Sequence, residues 1–274
     1  MPTTAIVTGA TRGIGRGVVE ALVASGARVG CIARSADDLA ELSAAVAAPG
    51  IVEVAAADLS RRDEAEEAVR TLAEALGPVD LLVNNAGVGL YGPVLDLDPE
   101  EAERLIRINY LSVVYTTGAV LPAMAERRSG HIVNVASIAG RLGAPFEAAY
   151  SASKFAVVGF SEALAVEAAA LGVRVSVVNP GPVDTEFFAR RGHPYERESP
   201  KPIAVAEAVA AVLAAIASGR FETTVPASLK MARLTRALLP RLYFLGVRRA
   251  FRPELSTLAC RAEAAVNGAR RATS

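Results

Sequence analysis

The sequence predicts an α/β fold, in which helices cover both faces of a mainly parallel sheet, followed by a helical C-terminal extension. Short apolar runs rich in β-branched residues alternate with longer amphipathic stretches, which is the pattern of repeated strand–helix units. Charge is unevenly divided along the 274 residues: residues 228–274 contain ten basic and two acidic residues, a net +8, in a chain that is neutral overall. We therefore expect one domain over residues 1–227 and a separate basic, amphipathic helical element over residues 228–274.

Seven apolar runs predict the strands, at residues 5–8, 28–33, 51–56, 80–84, 131–136, 173–179 and 221–225. Between them, helical periodicity is found at residues 14–25, from Ser35 onward, and at 63–76, 99–124, 149–171 and 204–218. Strands separated by helices indicate βαβ units and a mainly parallel sheet.

The composition argues against several classes of protein. A neutral chain lacks the basic surface of a typical nucleic-acid binder. The two cysteines, Cys31 and Cys260, are far apart and expected to be buried, so no disulfide framework is predicted, and with two histidines they form no metal-ligand cluster. No apolar run approaches the ~20 residues of a membrane span, and the first residues do not resemble a secretory signal. We expect a cytoplasmic protein.

A glycine-rich turn follows the first predicted strand. Its spacing is G-x-x-x-G-x-G, and the residues available for a ligand are Gly9, Thr11, Arg12, Gly13, Ile14 and Gly15. In the doubly wound (Rossmann) fold such a turn lets a dinucleotide pyrophosphate approach the backbone at a helix N-terminus. The alternative is a purely structural strand-to-helix turn.

The end of the second predicted strand indicates which dinucleotide would bind. Arg34 stands 19 residues after Gly15, where NAD-binding units carry an acidic residue. A guanidinium there, with Arg12 as a second arm, suits the 2′-phosphate of NADP(H). Asp37 and Asp38 come later and suit the first turn of a helix. The alternative is that both arginines are solvated surface residues.

Tyr150 and Lys154 are four residues apart on a predicted helix, so they lie on one face. An ammonium group beside a phenol lowers the phenol pKa and makes it an acid–base group. Ser137, at the end of the fifth predicted strand, could donate a hydrogen bond to a substrate oxygen. Taken alone, a surface Tyr–Lys pair is the simpler interpretation.

Several motifs occur together in order and spacing. They are the glycine turn, Asn84-Asn85-Ala86-Gly87, Asn109, Ser137, Tyr150-x-x-x-Lys154 and Asn179-Pro180-Gly181. In this combination, over residues 4–225, the chain resembles the short-chain dehydrogenase/reductase family.

The resemblance implies a role for each matching residue. Tyr150 would be the acid–base, Lys154 would lower its pKa and hold the nicotinamide ribose, Ser137 would polarise the carbonyl, and Asn109 would hold a water of the proton relay. The remaining implied cofactor contacts are Asp58 and Leu59 at the adenine, Asn85, Ala86 and Gly87 behind the adenosine ribose, and Pro180, Gly181, Val183 and Thr185 at the nicotinamide.

Other residues near these motifs have two interpretations each. His131 is expected to be structural, whereas His193, in a long loop after the sixth strand, is a surface residue or a substrate contact. The aromatic residues Phe146, Phe187, Phe188 and Tyr195 either line an apolar pocket or pack in the core.

The extension departs from the ketoacyl reductases of the family, which end soon after the last strand. Leu234, Leu238, Leu242 and Leu245 fall at helical spacing within residues 229–251, and Pro240 is expected to interrupt or kink this run. The run could pack on its own domain, cover the substrate cleft, join another subunit of a dimer or tetramer, or lie peripherally on an anionic membrane.

The sequence thus favours an NADP(H)-dependent oxidoreductase that interconverts a ketone or aldehyde and an alcohol, on a lipophilic small molecule. The alternatives are a non-catalytic NADP-binding regulator, or a membrane-surface or partner-binding protein that acts through the basic extension.

Overall fold

The sheet has seven parallel strands in the order β3-β2-β1-β4-β5-β6-β7. The computed structural model describes residues 2–46, 52–197 and 199–272, with side chains as far as residue 263. The strands are β1 (Thr4–Thr8), β2 (Arg28–Ala33), β3 (Val52–Ala56), β4 (Leu81–Asn84), β5 (Gly130–Val135), β6 (Val173–Pro180) and β7 (Glu222–Val225). The predicted doubly wound fold is confirmed. The expected start of β3 at Ile51 lies outside the described residues.

Eleven helices accompany the strands in the described part of the chain. They are α1 (Gly13–Ala24), α2 (Ala36–Val46), α3 (Arg62–Leu76), α4 (Pro99–Ile106), α5 (Ser112–Glu126), α6 (Ala148–Ala170), α7 (Phe187–Arg190), α8 (Val205–Ser218), α9 (Leu229–Leu238), α10 (Pro240–Ala250) and α11 (Arg252–Ala272).

Both faces of the sheet are buried. On β1, Val7 packs into a core with α1, α2 and α8, while its neighbour Ile6 packs into a second core with α3, α5 and α6. Adjacent strand residues point to opposite faces, so a strand covered on both sides is apolar at most of its positions. This explains the continuous apolar runs of the sequence.

The strand order reverses between β1 and β4. From β1 the chain winds outward to β3, and it then returns to β4 and continues the other way to β7. The loops after β1 and β4 therefore diverge and leave a crevice at the carboxyl ends of the strands, where ligands bind in such sheets. The glycine turn follows β1, and the segment Asn85-Ala86-Gly87 follows β4.

Residues 99–124, predicted as one helix, belong to a helical run from Pro99 to Glu126 that contains a π-helical turn, Arg107–Leu111. Contrary to expectation, this run is long and apolar enough to cross a bilayer by length and composition alone. Within the fold it packs against α3, α6 and the sheet, with Leu105 and Met124 fully buried. We assign it to the core of the domain.

The helical extension is confirmed, but it consists of three helices. Pro240 is the first residue of α10, a position where proline is well tolerated, so it separates α9 from α10 rather than kinking one helix. Ion pairs from Arg233 and Arg141 converge on the Glu222 carboxylate of β7 and hold α9 to the sheet edge. In α11, Cys260 is exposed, which corrects the expectation that both cysteines are buried.

Candidate active site

A cavity of about 1400 Å³ opens at the carboxyl ends of the strands. Its walls are the glycine turn, the loops after β2, β4 and β6, the start of α6, and one side of the C-terminal extension. Single small-molecule pockets are typically about 300–1,000 Å³, so this cavity has room for two ligands side by side.

The structure brings nearly all of the predicted site residues to this cavity. Those that line it are Gly9, Thr11, Arg12, Gly13, Ile14, Arg34, Asp58, Leu59, Asn85, Ala86, Gly87, Ser137, Tyr150, Lys154, Pro180, Gly181, Val183 and Thr185. Gly15 and Asn109 do not line it.

The glycine turn is joined to the segment after β4. Gly9 has a φ of +63°, and a Cβ there would lie 2.9 Å from the Ala86 Cα, so only glycine fits. The Thr8 hydroxyl accepts hydrogen bonds from the backbone N–H groups of Asn85 and Ala86 at 3.0 and 3.1 Å. A Cβ on Gly15 would lie 2.1 Å from the Gly9 carbonyl oxygen. Gly15 packs against Gly9 and does not line the cavity, so its contact with a cofactor stays a prediction.

The N-terminus of α1 opens into the cavity. Its cap residue, Arg12, makes no side-chain capping bond, and the first-turn residues Gly13 and Ile14 line the cavity. First-turn N–H groups have no partner within their own helix, so they form an anion-binding site. The residues present fit a dinucleotide pyrophosphate.

The two predicted phosphate-binding arginines are placed differently. Arg12 forms an ion pair with Asp38 at 2.5 Å and lies 3.7 Å from Glu186. Arg34 is exposed and lines the cavity next to Ser35, whose hydroxyl accepts a hydrogen bond from the Asp38 backbone N–H at 3.1 Å. Asp38 thus lies in the first turn of α2 as expected, and its carboxylate also pairs with Arg12, which the sequence did not indicate.

Ser137, Tyr150 and Lys154 lie together on one wall. Tyr150 and Lys154 are buried, 7% and 4% exposed, and the Lys154 Nζ donates to the Val135 carbonyl oxygen at 3.1 Å. Burial raises the pKa of Tyr150, and a hydrogen bond with Ser137 opposes this rise. Burial lowers the pKa of Lys154 to about 8. The expected lowering of the Tyr150 pKa by Lys154 is not seen, because the cost of burying a phenolate dominates.

The side chain of Asn109 joins the loop after β4 to α6 through hydrogen bonds. It lies in the π-helical turn, fully buried, and its side chain accepts from the Val88 N–H at 2.8 Å. Its amide donates to the Val88 carbonyl and the Ser153 hydroxyl, both at 2.9 Å. These bonds fix the loop after β4 against α6. Asn109 does not line the cavity, and its predicted role of holding a water of the proton relay stays a prediction.

The aromatic residues divide between cavity and packing. Phe187, Phe188 and Tyr195 line the cavity, and the Phe187 ring lies 5.5 Å from that of Tyr150. Phe146 instead stacks between the rings of Tyr91 and Phe251, at 5.7 and 6.1 Å. The apolar-pocket interpretation holds for three of the four residues.

A buried ion pair supports the loop after β6. Arg191 is 4% exposed and pairs with Glu147, which precedes α6 and lines the cavity. The Arg191 guanidinium lies 4.7 Å from the centres of the Tyr91 and Phe188 rings. Burial raises the pKa of Glu147, and the charge of Arg191 opposes this rise. The pair fixes the aromatic wall beside Tyr150.

The two histidines lie away from the cavity lining. His131 on β5 is buried, with its Nε2 2.8 Å from the Ser176 hydroxyl, and burial lowers its pKa to about 4. Its structural interpretation is supported. His193 stacks on Tyr91 at 4.4 Å. Among the described side chains, no group of three or more His, Cys, Asp or Glu residues could hold a metal ion.

The C-terminal extension supplies a wall that sequence reasoning did not assign residue by residue. Spacing of i, i+3, i+4 and i+7 on α10 brings Tyr243, Gly246, Val247 and Ala250 to the cavity. Further contributions come from Leu229, Ala232, Thr235, Leu242 and Phe251. Helical periodicity was the available signal, but it could not show which face turns inward.

Comparison with protein families gives one match to most of the chain. Residues 3–196 match the model described as short chain dehydrogenase. A short chain dehydrogenase of Pseudocercospora fijiensis is 40% identical over 190 residues, which are 68% of this chain and 61% of that protein. The dehydrogenase/reductase SDR family member 7B of Bos taurus is 37% identical over 66% of this chain and 58% of its own length. The chain thus spans about three fifths of these two relatives.

Solved structures agree with this match. A short chain dehydrogenase from Burkholderia cenocepacia in complex with NADP has a TM-score of 0.77 and 34% identity, covering 89% of this chain and 97% of that one. A short chain dehydrogenase/reductase from Burkholderia phymatum in complex with NAD has a TM-score of 0.79 and 26% identity, covering 88% and 94%. Similar structures therefore include one with bound NADP and one with bound NAD.

Proposed function

The chain belongs to the short-chain dehydrogenase/reductase family, and we propose that it is an NADP(H)-dependent oxidoreductase that reduces an apolar ketone or aldehyde to an alcohol. The observation that carries this proposal is the position of Ser137, Tyr150 and Lys154 on the wall of a cavity that also contains an uncapped helix N-terminus. The three side chains and the anion site occupy one cavity, as a reaction between a substrate and a dinucleotide requires.

The cofactor would be held by residues of three loops. The first turn of α1 suits the pyrophosphate, and Arg34, together with Arg12 once released from Asp38, suits the 2′-phosphate. Asp58 and Leu59 line the cavity where the adenine would lie. When bound, the reduced nicotinamide supplies the hydride, and this chemistry belongs to the cofactor.

The protein residues stabilise and protonate the substrate oxygen. The Ser137 and Tyr150 hydroxyls donate hydrogen bonds to this oxygen, which strengthen as negative charge develops on it. Tyr150 then transfers its proton. A phenol is protonated at neutral pH, and burial raises the pKa of Tyr150 further, so Tyr150 has a proton to donate in the reduction. The charged form of Lys154 stabilises the phenolate left behind.

The substrate end of the cavity indicates an apolar, bulky molecule. Phe187 and Phe188 line it on one side, and Val247 and Phe251 of the extension line it on the other. Burial of apolar surface contributes about 25 cal/mol per Å², so affinity should grow with substrate size. We propose that the inner side of the extension acts as a lid over this end.

A panel of carbonyl compounds tests the proposal. Small ketones, steroid ketones and long-chain aldehydes are incubated with NADPH or NADH, and turnover is followed by the loss of reduced-nicotinamide absorbance. We expect turnover with NADPH, with kcat/KM rising with apolar size. Ser137→Ala should lose most of this turnover and still bind NADPH. NADPH binding without turnover of any compound would favour a regulatory protein instead.

A further inference from the structure

The outward side of the C-terminal extension is apolar. On α9, Met231, Leu234 and Leu238 are 62%, 48% and 69% exposed, at the spacing i, i+3, i+7 of one helix face. On α10, Phe244 and Leu245 are 54% and 65% exposed. Single exposed apolar residues are common on soluble proteins, but a concentration of them on two consecutive helices marks an interaction surface. We call these five residues the outer face.

The outer face lies opposite the lining of the cavity. On α10, Tyr243 and Val247 are partly buried and line the cavity, whereas Phe244 and Leu245 do not line it. The two helices are held in place from within, because Arg233 pairs with Glu222 and Arg236 donates to the Arg141 carbonyl oxygen. The outer face is therefore a surface of helices that are already packed on the domain through their other side.

Cations surround this face. Residues 229–252 contain seven basic residues and no acidic residue. Two of the seven, Arg233 and Arg236, turn inward as described. The other five are exposed: Lys230, Arg241, Arg248, Arg249 and Arg252. A helical surface with exposed leucine and phenylalanine side chains among arginines is typical of segments that lie in a membrane interface.

The positive charge around the outer face distinguishes between two possible partners, a second copy of the chain and an anionic bilayer. A second copy that presented the same face would bring two cationic surfaces together, and like charges repel. An anionic bilayer offers an apolar interior for the leucines and negative headgroups for the arginines. We propose that the outer face of α9 and α10 docks on an anionic lipid surface, which places the extension between the bilayer and the cavity.

Vesicle sedimentation tests this proposal without any need for turnover. The full-length protein is mixed with phosphatidylcholine vesicles that contain about a third phosphatidylserine, or with phosphatidylcholine vesicles alone. We expect binding to the anionic vesicles only, and weaker binding as salt rises. The triple variant Arg241→Gln/Arg248→Gln/Arg249→Gln should bind the anionic vesicles about fivefold more weakly for each charge removed.

One apolar position provides a matched pair of variants. Leu245→Glu places a carboxylate on the outer face and should weaken vesicle binding tenfold or more, because a charge resists entering the bilayer. Val166→Glu makes the same change at a side chain of α6 that is 77% exposed, and it should bind like wild type. Leu234→Glu, on α9, is the second test variant and should show the same loss. NADPH binding and the unfolding midpoint should be unchanged in all three.

Three results would overturn the proposal. The first is no binding to anionic vesicles at any salt concentration, and the second is equal binding by Leu245→Glu, Leu234→Glu and wild type. The third is that light scattering shows a dimer, that Leu245→Glu dissociates this dimer, and that the protein does not bind vesicles. This result would assign the outer face to contact with a second copy. Failure of the carbonyl panel would not affect any of these measurements, so the two proposals can fail separately.

Discussion

Arg197, in the loop after α7, forms an ion pair with Glu254 at the start of α11, 57 residues further along the chain. Its guanidinium also lies 3.3 Å from the centre of the Phe251 ring, and it donates to the Ala250 carbonyl oxygen at 3.0 Å. Arg197, Ala250 and Phe251 all line the cavity. This one side chain therefore connects the loop after β6 to the C-terminal extension.

Reversal of the Arg197 charge should loosen the substrate end of the cavity. The ion pair is 22% and 33% exposed, and a partly exposed pair with a cation–π contact is worth about 1–2 kcal/mol. Arg197→Glu should therefore raise KM for a bulky apolar ketone by about five- to thirtyfold. The double variant Arg197→Glu/Glu254→Arg should recover part of the loss. An equal rise in KM for the smallest substrate would argue against a lid.

Removal of the extension after Pro226 should leave cofactor binding intact. The residues that suit the dinucleotide extend from Gly9 to Thr185, all before the extension in the chain. We expect NADPH affinity within a few fold of wild type, since Leu229 packs on Gly181, and a loss of kcat/KM that increases with the apolar area of the substrate. Titration with NADPH and the carbonyl panel measure these two effects. An insoluble truncation would show that α9–α11 complete the core.

Tyr150→Phe should reduce turnover by about 10²–10⁴-fold, because the ring remains but the transferable proton is lost. NADPH binding, measured by the fluorescence of the reduced nicotinamide, should be unchanged. Tyr243→Phe is the matched control, since Tyr243 also lines the cavity but lies on the extension. Near-normal turnover of Tyr150→Phe would rule out the proposed acid.

Arg34→Asp should lower the preference for NADPH over NADH. The variant removes one charge-assisted contact with the 2′-phosphate, worth about 1.5–3 kcal/mol, and adds a repelling carboxylate. The ratio of kcat/KM for the two cofactors should therefore fall at least tenfold. Arg104→Asp, at an exposed position on α4, should leave the ratio unchanged. Equal use of both cofactors by the wild type would contradict this interpretation of the loop after β2.

His131 should make the protein sensitive to acid. Burial lowers its pKa from 6.5 to about 4, so the unfolded chain binds a proton there at a higher pH than the folded chain does. The stability from this group is complete above about pH 6.5 and is lost as pH falls toward about 4, by up to roughly 3 kcal/mol. His131→Gln, which keeps a side-chain amide for Ser176, should lose less stability over this window. Urea unfolding at several pH values, with His193→Gln as control, measures the difference.

The sequence predicted the strands well, because a strand buried on both faces leaves a mainly apolar run rich in β-branched residues. It also located the glycine turn, Ser137, Tyr150 and Lys154, since each stands at the end of a strand or the start of a helix. The carboxyl ends of parallel strands meet at one edge, so order along the chain was enough to expect these residues to lie together.

The sequence did not predict contacts between segments that are distant along the chain. The ion pair of Arg12 with Asp38 depends on how α2 is placed beside the glycine turn, and the bonds of Asn109 to Val88 and Ser153 depend on a π-helical turn. The pKa of Tyr150 is raised rather than lowered because burial, which spacing does not reveal, is the largest influence on it.

The sequence by itself determined the fold class, the family resemblance and the grouping of Ser137, Tyr150 and Lys154, because all three are carried by local periodicity and by residues at fixed spacing. Only the tertiary structure decided which side of the extension faces the cavity and which remains exposed. Leucines and arginines are interspersed along α9 and α10, so the pattern alone does not show which apolar side chains turn inward. The orientation is set by side chains elsewhere, here the Glu222 carboxylate that holds Arg233.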